Sequence, residues 1–424
     1  MPQSRQFLNL AEKLKLIEQS GIINTKNCFN AGNKNSTQEP EKLKTDAKGH
    51  FHNPYEFSTP KEFKAFLDWR RGYKPEKEIE YEQNIYNSEK FKAIVEKFDA
   101  DKINLKFIDQ IDKIDLESLK TAPEKSNVKI TWFGHSTVLA QFCLPKNDTC
   151  ESYNVLFDPV FSERCSPLSF IGPKRNTKIP ASIKELYENK VPIDCVVISH
   201  AHYDHLDSVT LKEIKKLYKN AKFIAGASNL NLVMKESEFD SPHEEVGYNK
   251  IVEADSKNNN NNKTGHELYW WQSINLNESI KITAVPACHW ANRSLNDHNR
   301  YLWAGFVVEN LSDNTSVYFA GDTGYCSAFK EIGEHFKNLT IGLIPIGAYQ
   351  PRWFMAPQHI SPEEAVQVFK DVKAKYGMPI HWLTFSLADD RGFLPYQEME
   401  YFKEKMGVEN FVAQFIGETK NYQA

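Results

Sequence analysis

The sequence predicts an α/β protein built from stacked layers, and two observations indicate this fold class. Short β-rich runs such as YNVLFDPVF and DCVVISH recur between about residue 127 and the C-terminus. Helical patterns follow some of them, at Ser208–Lys219 and Pro362–Tyr376. Ser361 as N-cap and Glu364 at the capping-box position mark the start of the second helix. Strands alternating with helices indicate sheets that are covered by helices.

The candidate strands are spread over the C-terminal two thirds of the chain. In chain order they are VKITWFGHSTVLAQF, YNVLFDPVF, DCVVISH, KFIAGA, IKITAVPACH, LWAGFVVEN, SVYFAGD, IGLIPIG and PIHWLTF. The late helix is expected to stop at Gly377, because glycine favours helix C-termini.

The composition is that of a soluble globular protein and disfavours several other classes. Of 424 residues, 41% are hydrophobic, which is ample material for a core. Lys and Arg number 52 against 56 Asp and Glu, and this balance argues against nucleic-acid binding by bulk electrostatics. No run of about 20 apolar residues occurs, so no transmembrane helix is expected. The seven cysteines are scattered without a C-x-x-C pair and predict reduced thiols in a cytosolic setting.

Changes of composition along the chain predict three regions. Residues 1–50 are polar and are expected to be a flexible N-terminal segment. Residues 51–126 begin with the aromatic and basic stretch FHNPYEFSTPKEFKAFLDWRRGYK and are expected to be an extension that packs on the core or on a membrane. Residues 127–424 form the main domain, within which the Asn-rich residues 254–265 are a surface loop.

The strongest functional signal is the run HAHYDH at residues 200–205, which directly follows an apolar strand. It places four potential metal ligands within six residues at a strand end, which is a rigid base. Imidazole and carboxylate groups suit Zn²⁺, and the same set would accept Fe or Mn. Only 13 of the 424 residues are histidine, so three of them within six positions by chance is improbable.

Three more potential ligands lie downstream at or within apolar runs. His289 closes ITAVPACH, Asp322 closes SVYFAGD, and His381 lies in MPIHWLTF. A buried histidine or aspartate without a partner would be energetically costly, which favours a functional role for each. Together with the HAHYDH run they supply seven ligands, a complete set for two metal ions.

The ligand order, H-x-H-x-D-H followed by a single His, a single Asp and a late His, resembles that of the metallo-β-lactamase superfamily. Within it, ITWFGHSTV, LFDPVFSERCSPLSFIGPKR, ISHAHYDHLD, PACHW, YFAGDTGYC, IPIGAYQPRWFMAPQHISPEEAV and IHWLTF are similar to the N-acyl-phosphatidylethanolamine-hydrolysing phospholipases D. The motif GAYQPRWFM is long and unusual, and it is the most diagnostic of these. The resemblance implies a four-layer αβ/βα sandwich for a catalytic domain at residues 127–424.

The resemblance also implies two Zn²⁺ ions per chain, with a role for each ligand. His200, His202 and His289 would hold the first ion. Asp204, His205 and His381 would hold the second, and the carboxylate of Asp322 would bridge the two.

Further roles follow for residues near the substrate. Asp204, Asp322 and His359 are the expected catalytic residues: Asp322 sets the metal spacing, Asp204 orients the nucleophile and His359 engages substrate. Tyr203 and Gln358 are expected to contact phosphate or water, together with His359 as substrate-binding residues.

Two polar residues outside this set, His135 in FGHST and Asp158 in LFDP, are expected to support a ligand without coordinating metal themselves. His135 is expected to lie on a strand.

The implied activity is zinc-dependent, phospholipase D-type hydrolysis of N-acyl-phosphatidylethanolamine to N-acylethanolamine and phosphatidic acid. The implied partners are this phospholipid and a membrane surface, without nucleic acid, and dimers occur in the family. The implied location is cytoplasmic, peripherally associated with internal membranes. An apolar groove for lipid is expected from Phe161, Leu168, Phe170, Ile171, Trp353, Phe354 and Met355.

Three other functions remain open. A metal-dependent lactonase or other ester hydrolase of the same fold would use the same ligands, but the GAYQPRWFM motif disfavours it. A nuclease is disfavoured because the sequence has no concentrated basic stripe. A non-catalytic lipid-binding protein is disfavoured by the intact ligand set.

Overall fold

The computed structural model describes residues 45–46, 48–53, 63–111, 113–146, 149–168, 170–241, 263–294 and 296–424. The predictions for most of the polar segment 1–50 and for the Asn tract at 254–262 lie outside these residues.

The strands account for all the β-rich runs of the sequence. Numbered in chain order, those in the described residues are β1 (Asn127–Gly134), β2 (Thr137–Lys146), β3 (Thr149–Phe157), β4 (Cys195–Ile198), β5 (Lys222–Gly226), β6 (Phe239–Asp240), β7 (Gly265–Leu268), β8 (Ser273–Asn275), β9 (Ile280–Val285), β10 (Gly305–Asn310), β11 (Thr315–Phe319), β12 (Ile341–Pro345), β13 (Tyr376–Ile380) and β14 (Thr419–Gln423).

The helices fall into an N-terminal group and a set that connects or follows strands. Those within the described ranges are α1 (Phe63–Arg70), α2 (Glu76–Tyr86), α3 (Glu89–Ala100), α4 (Ile103–Ile111), α5 (Ile183–Glu188), α6 (Ser208–Leu217), α7 (Ala328–His335), α8 (Arg352–Met355), α9 (Pro362–Asp371) and α10 (Leu394–Met406). None of them combines the length and the apolarity that a bilayer span requires.

The strands form two mixed sheets. The first has the order β14-β1-β2-β3-β4-β5-β7-β6, and the second β13-β12-β11-β10-β9-β8. In the second sheet, β9 and β11 both run antiparallel to β10, and β11, β12 and β13 run parallel. The carboxyl ends of β9, β11 and β13 therefore meet at one edge. The carboxyl end of β4 in the first sheet faces this edge, because Ala304 N donates to Ser199 O at 3.0 Å.

The two sheets pack face to face and are covered by helices outside. Phe157 on β3 stacks on Phe319 of β11, with ring centroids 4.8 Å apart. Its neighbour Leu156 points to the opposite face, where it packs with Leu186 of α5 and Leu211 of α6. Helices α7 and α9 cover the second sheet in the same way. This confirms the four-layer αβ/βα sandwich that the sequence predicts.

The described part of the N-terminal extension packs on the sandwich. The Phe107 ring of α4 contacts the rings of Trp382 and Phe415, with centroids 5.3 and 4.6 Å away. The carboxylate of Glu78 in α2 accepts hydrogen bonds from the backbone N–H groups of Arg352 and Trp353, both at 2.7 Å, and so caps the N-terminus of α8. The division of the chain into an extension and a domain at residue 127 stays a prediction.

Two elements differ from their predictions. The run VKITWFGHSTVLAQF is a hairpin of β1 and β2, and His135 lies in its turn with φ of 52°, not on a strand. The helix predicted for Pro362–Tyr376 ends at Asp371, and Lys373 after it has φ of 55°. The chain then pairs with β12 from Tyr376 onwards, so sheet formation overrides the helical pattern.

The prediction that all cysteines are reduced is wrong for one pair. A disulfide joins Cys143 and Cys150, which lie on the adjacent antiparallel strands β2 and β3. Strand pairing brings these two side chains together, and the spacing in the sequence did not indicate it. Four other cysteines in the described ranges are free and buried.

Candidate metal centre

The HAHYDH run leaves β4 as a tight turn and contributes to a first cluster of nitrogen atoms. The N–H of His205 donates to the carbonyl of His202 at 3.1 Å, which closes the turn. His200 Nε2 lies 2.9 Å from His202 Nδ1, and His289 Nε2 lies 3.2 Å from the same atom. Three imidazole nitrogens from two distant segments therefore converge on one point, as expected for the first metal ion.

A second cluster forms around the carboxylate of Asp204. Its Oδ2 lies 3.3 Å from His205 Nε2 and 3.4 Å from His381 Nε2. His135 Nε2 is 3.1 Å from the same oxygen. The sequence places His135 in a supporting role, yet its ring nitrogen belongs to this cluster of potential ligands.

Asp322 lies between the two clusters and is buried. Its Oδ2 is 3.1 Å from His205 Nε2, and its Oδ1 is 3.1 Å from His381 Nε2. The same carboxylate reaches the first cluster, with Oδ2 at 4.0 Å from His200 Nε2 and 3.9 Å from His289 Nε2. The structure thus brings all seven predicted ligands together, with Asp322 where a bridging carboxylate is expected.

The chemistry of this cluster fits metal ions. Among the described residues, His205 Nε2, His381 Nε2 and Asp322 Oδ1 are buried and, despite their short separations, are not aligned for a hydrogen bond. Such an arrangement is costly unless a cation lies among them. Burial lowers the pKa of His202 to about 4 and that of His289 to about 3, so both rings are neutral, as metal-binding imidazoles must be. Nitrogen and carboxylate donors suit zinc and other transition metals.

Opposite charges face each other in the second cluster. Burial opposes ionisation of Asp204 and Asp322, but nearby imidazoles, His205 foremost, hold the pKa of both carboxyls well below their usual range. The carboxylates in turn raise the pKa of His381 to about 9, against the opposing effect of burial. A metal ion that binds here must displace protons from the histidines, so its affinity should rise with pH.

Neighbouring groups fix the orientation of the histidine rings. Asp158 Oδ2 lies 2.6 Å from His205 Nδ1, and its other oxygen accepts from the N–H of Ser199 at 2.7 Å. His289 Nδ1 lies 2.8 Å from the backbone carbonyl of Gln358. With Nδ1 of each ring engaged in a hydrogen bond, Nε2 is left to face the cluster. Asp158 therefore has the supporting position that the sequence predicts.

Arg293 holds the HAHYDH turn from outside, and sequence reasoning missed it. Its guanidinium donates to the carbonyls of Ala201 and Leu206 at 3.0 and 2.8 Å. It also lies 3.7 Å from the ring centroid of Tyr203, whose hydroxyl donates to Arg293 O at 2.8 Å. The Tyr203 hydroxyl is thus engaged with the protein and is not free to donate to another group.

Gly347, the first residue of the GAYQPRWFM motif, must be glycine because it packs closely against the candidate ligand His381. A Cβ at Gly347 would lie 2.1 Å from the carbonyl oxygen of His381, so a larger residue cannot occupy this position without moving that ligand. His381 itself has φ of 61°, and its N–H donates to His135 O at 3.0 Å. Two left-handed residues, His135 and His381, are therefore tied together beside the cluster.

A cavity of about 500 Å³ opens onto the cluster. Its polar side carries the predicted substrate residues Tyr203, Gln358 and His359, and His359 Nδ1 lies 3.8 Å from Asp322 Oδ2. Its apolar side is lined by residues from four parts of the chain. These are Phe66 and Trp69 of α1, Trp290, Phe354, Met355 and Leu387.

The sequence predicted this apolar lining only in part. Phe354 and Met355 line the cavity as expected, whereas Phe161 packs in the core behind the first sheet. Phe66 and Trp69 belong to the aromatic stretch at the start of the extension, but nothing in the sequence around them indicates a place at the site. The Trp69 ring stacks on Phe354 at 4.9 Å, so the extension forms a wall of the cavity.

The fold and the ligand cluster together define a metal-dependent hydrolase. A profile of the β-lactamase superfamily domain matches residues 153–382. The chain belongs to this superfamily. A relative that is 35% identical and covered over 76% of its length shows that, within it, the chain belongs to the family of N-acyl-phosphatidylethanolamine-hydrolysing phospholipases D.

Two curated relatives carry the name of that family. The chain is 35% identical over 302 residues to N-acyl-phosphatidylethanolamine-hydrolyzing phospholipase D 1 of Caenorhabditis elegans, covering 69% of this chain and 76% of the relative. It is 32% identical over 285 residues to the mitochondrial enzyme of that name from Saccharomyces cerevisiae, covering 66% of this chain and 53% of the relative. Igni18, a metallo hydrolase from Ignicoccus hospitalis, is 20% identical with a TM-score of 0.47, over 70% of this chain and all of that one.

Proposed function

We propose that this protein is a phospholipase D-type phosphodiesterase that hydrolyses N-acyl-phosphatidylethanolamine to N-acylethanolamine and phosphatidic acid with two zinc ions. The observation that carries the proposal is the position of Asp322 between two ligand clusters, at the end of a cavity with one polar and one apolar side. The names of the relatives from C. elegans and S. cerevisiae support the choice of lipid.

In this proposal His200, His202 and His289 would hold the first zinc ion. Asp204, His205 and His381 would hold the second, and Asp322 would supply the carboxylate shared by both. Two such ions, when bound, supply Lewis acidity and make water a stronger nucleophile at neutral pH. The carboxylate of Asp204, which holds no proton at neutral pH, orients the attacking water.

The other residues of the cavity bind the lipid. Burial lowers the pKa of His359 to about 3, so its ring is neutral and offers a hydrogen bond to the phosphate. Gln358 beside it offers an amide. The apolar wall of Trp69, Phe354 and Met355 excludes water and packs against acyl chains.

A lipid substrate also requires contact with a membrane, and the loop beyond Cys165 is suited to it. Leu168, Phe170 and Ile171 are exposed by 47%, 70% and 43%, close in sequence to Cys165 in the cavity wall. Exposed apolar residues beside the mouth of a site are typical of an interfacial segment. We propose a cytoplasmic location with peripheral association to internal membranes and no nucleic-acid partner, and the exposed loop supports the membrane contact alone.

The activity is tested with purified protein, N-acyl-phosphatidylethanolamine in mixed micelles, and mass spectrometry of the products. The expected products are N-acylethanolamine and phosphatidic acid, which disappear with a chelator and return with zinc. Parallel incubations contain a lactone and a single-stranded oligonucleotide. Efficient cleavage of either one, with the lipid left intact, would refute the proposal.

Membrane contact is tested by liposome flotation with anionic lipid. The wild type should float, and Phe170→Asp should stay in the aqueous phase. Leu311→Asp is the matched control, because Leu311 is 50% exposed and follows β10 at the end remote from the cluster. Equal flotation of all three proteins would exclude the loop as the contact.

A further inference from the structure

The backbone of His289 is held by a side chain from the other end of the sequence. Asn53 Nδ2 donates to His289 O at 2.9 Å, and Asn53 Oδ1 accepts from His289 N at 3.2 Å. One amide thus engages both backbone polar groups of a candidate metal ligand. We infer that Asn53 is a positioning residue of the metal centre, which holds His289 in place for the first metal ion.

His289 needs such a brace because the sheet does not provide one. It lies four residues beyond the end of β9 and one residue past an isolated bridge between Cys288 and Gly324. Among the described residues, no backbone group hydrogen bonds to the N–H or the C=O of His289. The amide of Asn53 therefore takes the place that a neighbouring strand would have, and without it two backbone groups in a buried region lose their partners.

Asn53 is itself held firmly enough to act in this way. Its Oδ1 also accepts from the indole N–H of Trp303 at 2.8 Å, and Trp303 is buried. Two residues earlier, Phe51 is 3% exposed and its N–H donates to Asn299 O at 2.7 Å. The short segment at residues 51–53 is thus anchored on both sides of His52 by buried aromatic contacts.

The remaining contacts of His289 show why its backbone position matters. Its Nδ1 is directed to the carbonyl of Gln358 at 2.8 Å, so the ring cannot rotate freely to compensate for a backbone shift. Its Nε2 must stay near His202 Nδ1, now 3.2 Å away. Partners that orient a metal ligand typically change metal affinity by about 10- to 100-fold when removed. The inference rests on the proposed metal centre, but not on the identity of the substrate.

Asn53→Ala removes both hydrogen bonds, and Asn53→Leu does so while keeping the size of the side chain. Asn310→Ala is the matched control, because Asn310 Nδ2 likewise donates to a backbone carbonyl, that of Cys143, at 2.8 Å. Asn310 ends β10 on the side remote from the cluster, so its loss should affect stability without touching a ligand.

The test measures zinc affinity by competition with a chromophoric chelator, and the visible absorption of the Co²⁺-substituted protein. Both Asn53 variants should bind the zinc ion of the first cluster, which contains His289, about tenfold less tightly or worse, with an altered Co²⁺ spectrum. Asn310→Ala should match the wild type in both measurements, and the melting temperatures of the chelator-treated proteins report the purely structural effect of each change.

Wild-type zinc affinity and spectrum in folded Asn53→Ala and Asn53→Leu would overturn the inference. So would an equal loss of affinity in Asn310→Ala, because the effect would then be one of general stability. Failure of the proposed function is a separate result: wild-type protein that binds zinc yet leaves the lipid intact.

Discussion

The carboxylate of Asp158 lies 2.6 Å from Nδ1 of His205, and both side chains are fully buried. Asp158 is the first residue after β3, and His205 follows β4, so the parallel pairing of these strands creates the contact. Because Nδ1 of His205 is engaged with this carboxylate, its Nε2 faces the cluster that contains Asp204 and Asp322.

Asp158→Asn should weaken metal binding at the second cluster by about 10- to 100-fold. The amide keeps the size of the side chain but removes the negative charge that holds the His205 ring. Chelator competition measures the loss. Asp313→Asn is a control of the same type, because Asp313 accepts hydrogen bonds in the β10–β11 turn at the far end of the second sheet. Unchanged affinity in Asp158→Asn would show that the contact does not support the ligand.

Asp322→Asn should abolish turnover and reduce the number of bound metal ions. It removes a charge that faces both clusters, so its effect should exceed the roughly 10- to 100-fold loss expected for an outer partner. Lipid turnover and metal content by mass spectrometry measure the two effects. A variant that keeps both the full metal content and substantial turnover would contradict a bridging role.

Trp69→Ala should raise KM for a long-chain lipid by about tenfold, corresponding to a loss of about 1.4 kcal/mol of binding free energy. Trp69 belongs to the extension and stacks on Phe354 in the cavity wall, so its removal takes away apolar contact area. A short, water-soluble phosphodiester should be cleaved as by the wild type. Tyr187→Ala, an exposed aromatic position on α5, is the control and should leave both values unchanged. Equal losses on both substrates would place the effect at the metals instead of the wall.

Ionisation of the buried Glu398 carboxyl group should lower the stability of the folded state as pH rises. Burial raises the pKa of Glu398 to about 7, and its carboxyl accepts from the hydroxyl of Tyr86 at 2.6 Å. Because the folded protein holds this proton more tightly than the unfolded chain, stability falls as pH rises from about 4.5 to about 7, by roughly 3 kcal/mol. Above that pH both states are ionised, and the loss is complete.

Glu398→Gln should remove this dependence, since the amide is neutral at every pH. The variant should therefore melt at a higher temperature than the wild type at pH 8, and the difference should shrink towards pH 5. Glu404→Gln on the same helix is the control, because Glu404 is exposed. A wild-type advantage at pH 8 would show that the ionised carboxylate is stabilising.

Local patterns in the sequence were sufficient to indicate the ligands and the layers. The HAHYDH run is contiguous, and the other three ligands follow apolar runs, so each residue carried its own signal. The length of α9 and the turn at His135 were mispredicted because sheet pairing decides where those elements end.

Contacts between segments that only the fold brings together could not be predicted from neighbouring residues. Asn53 and His289 are 236 residues apart, and Cys143 meets Cys150 only because β2 pairs with β3. The aromatic pattern around Trp69 favours a helix on the core and also allows a membrane contact, and its place in the cavity wall depends on Phe354.

What the sequence determined by itself is therefore the set of chemical groups and the alternation of strands and helices, because both are written in neighbouring residues. Only the tertiary structure decided which groups support the ligands, how the extension completes the cavity, and that His135 joins a cluster. Those properties depend on distances between segments that are remote in the chain, and such distances are set by the packing of two sheets.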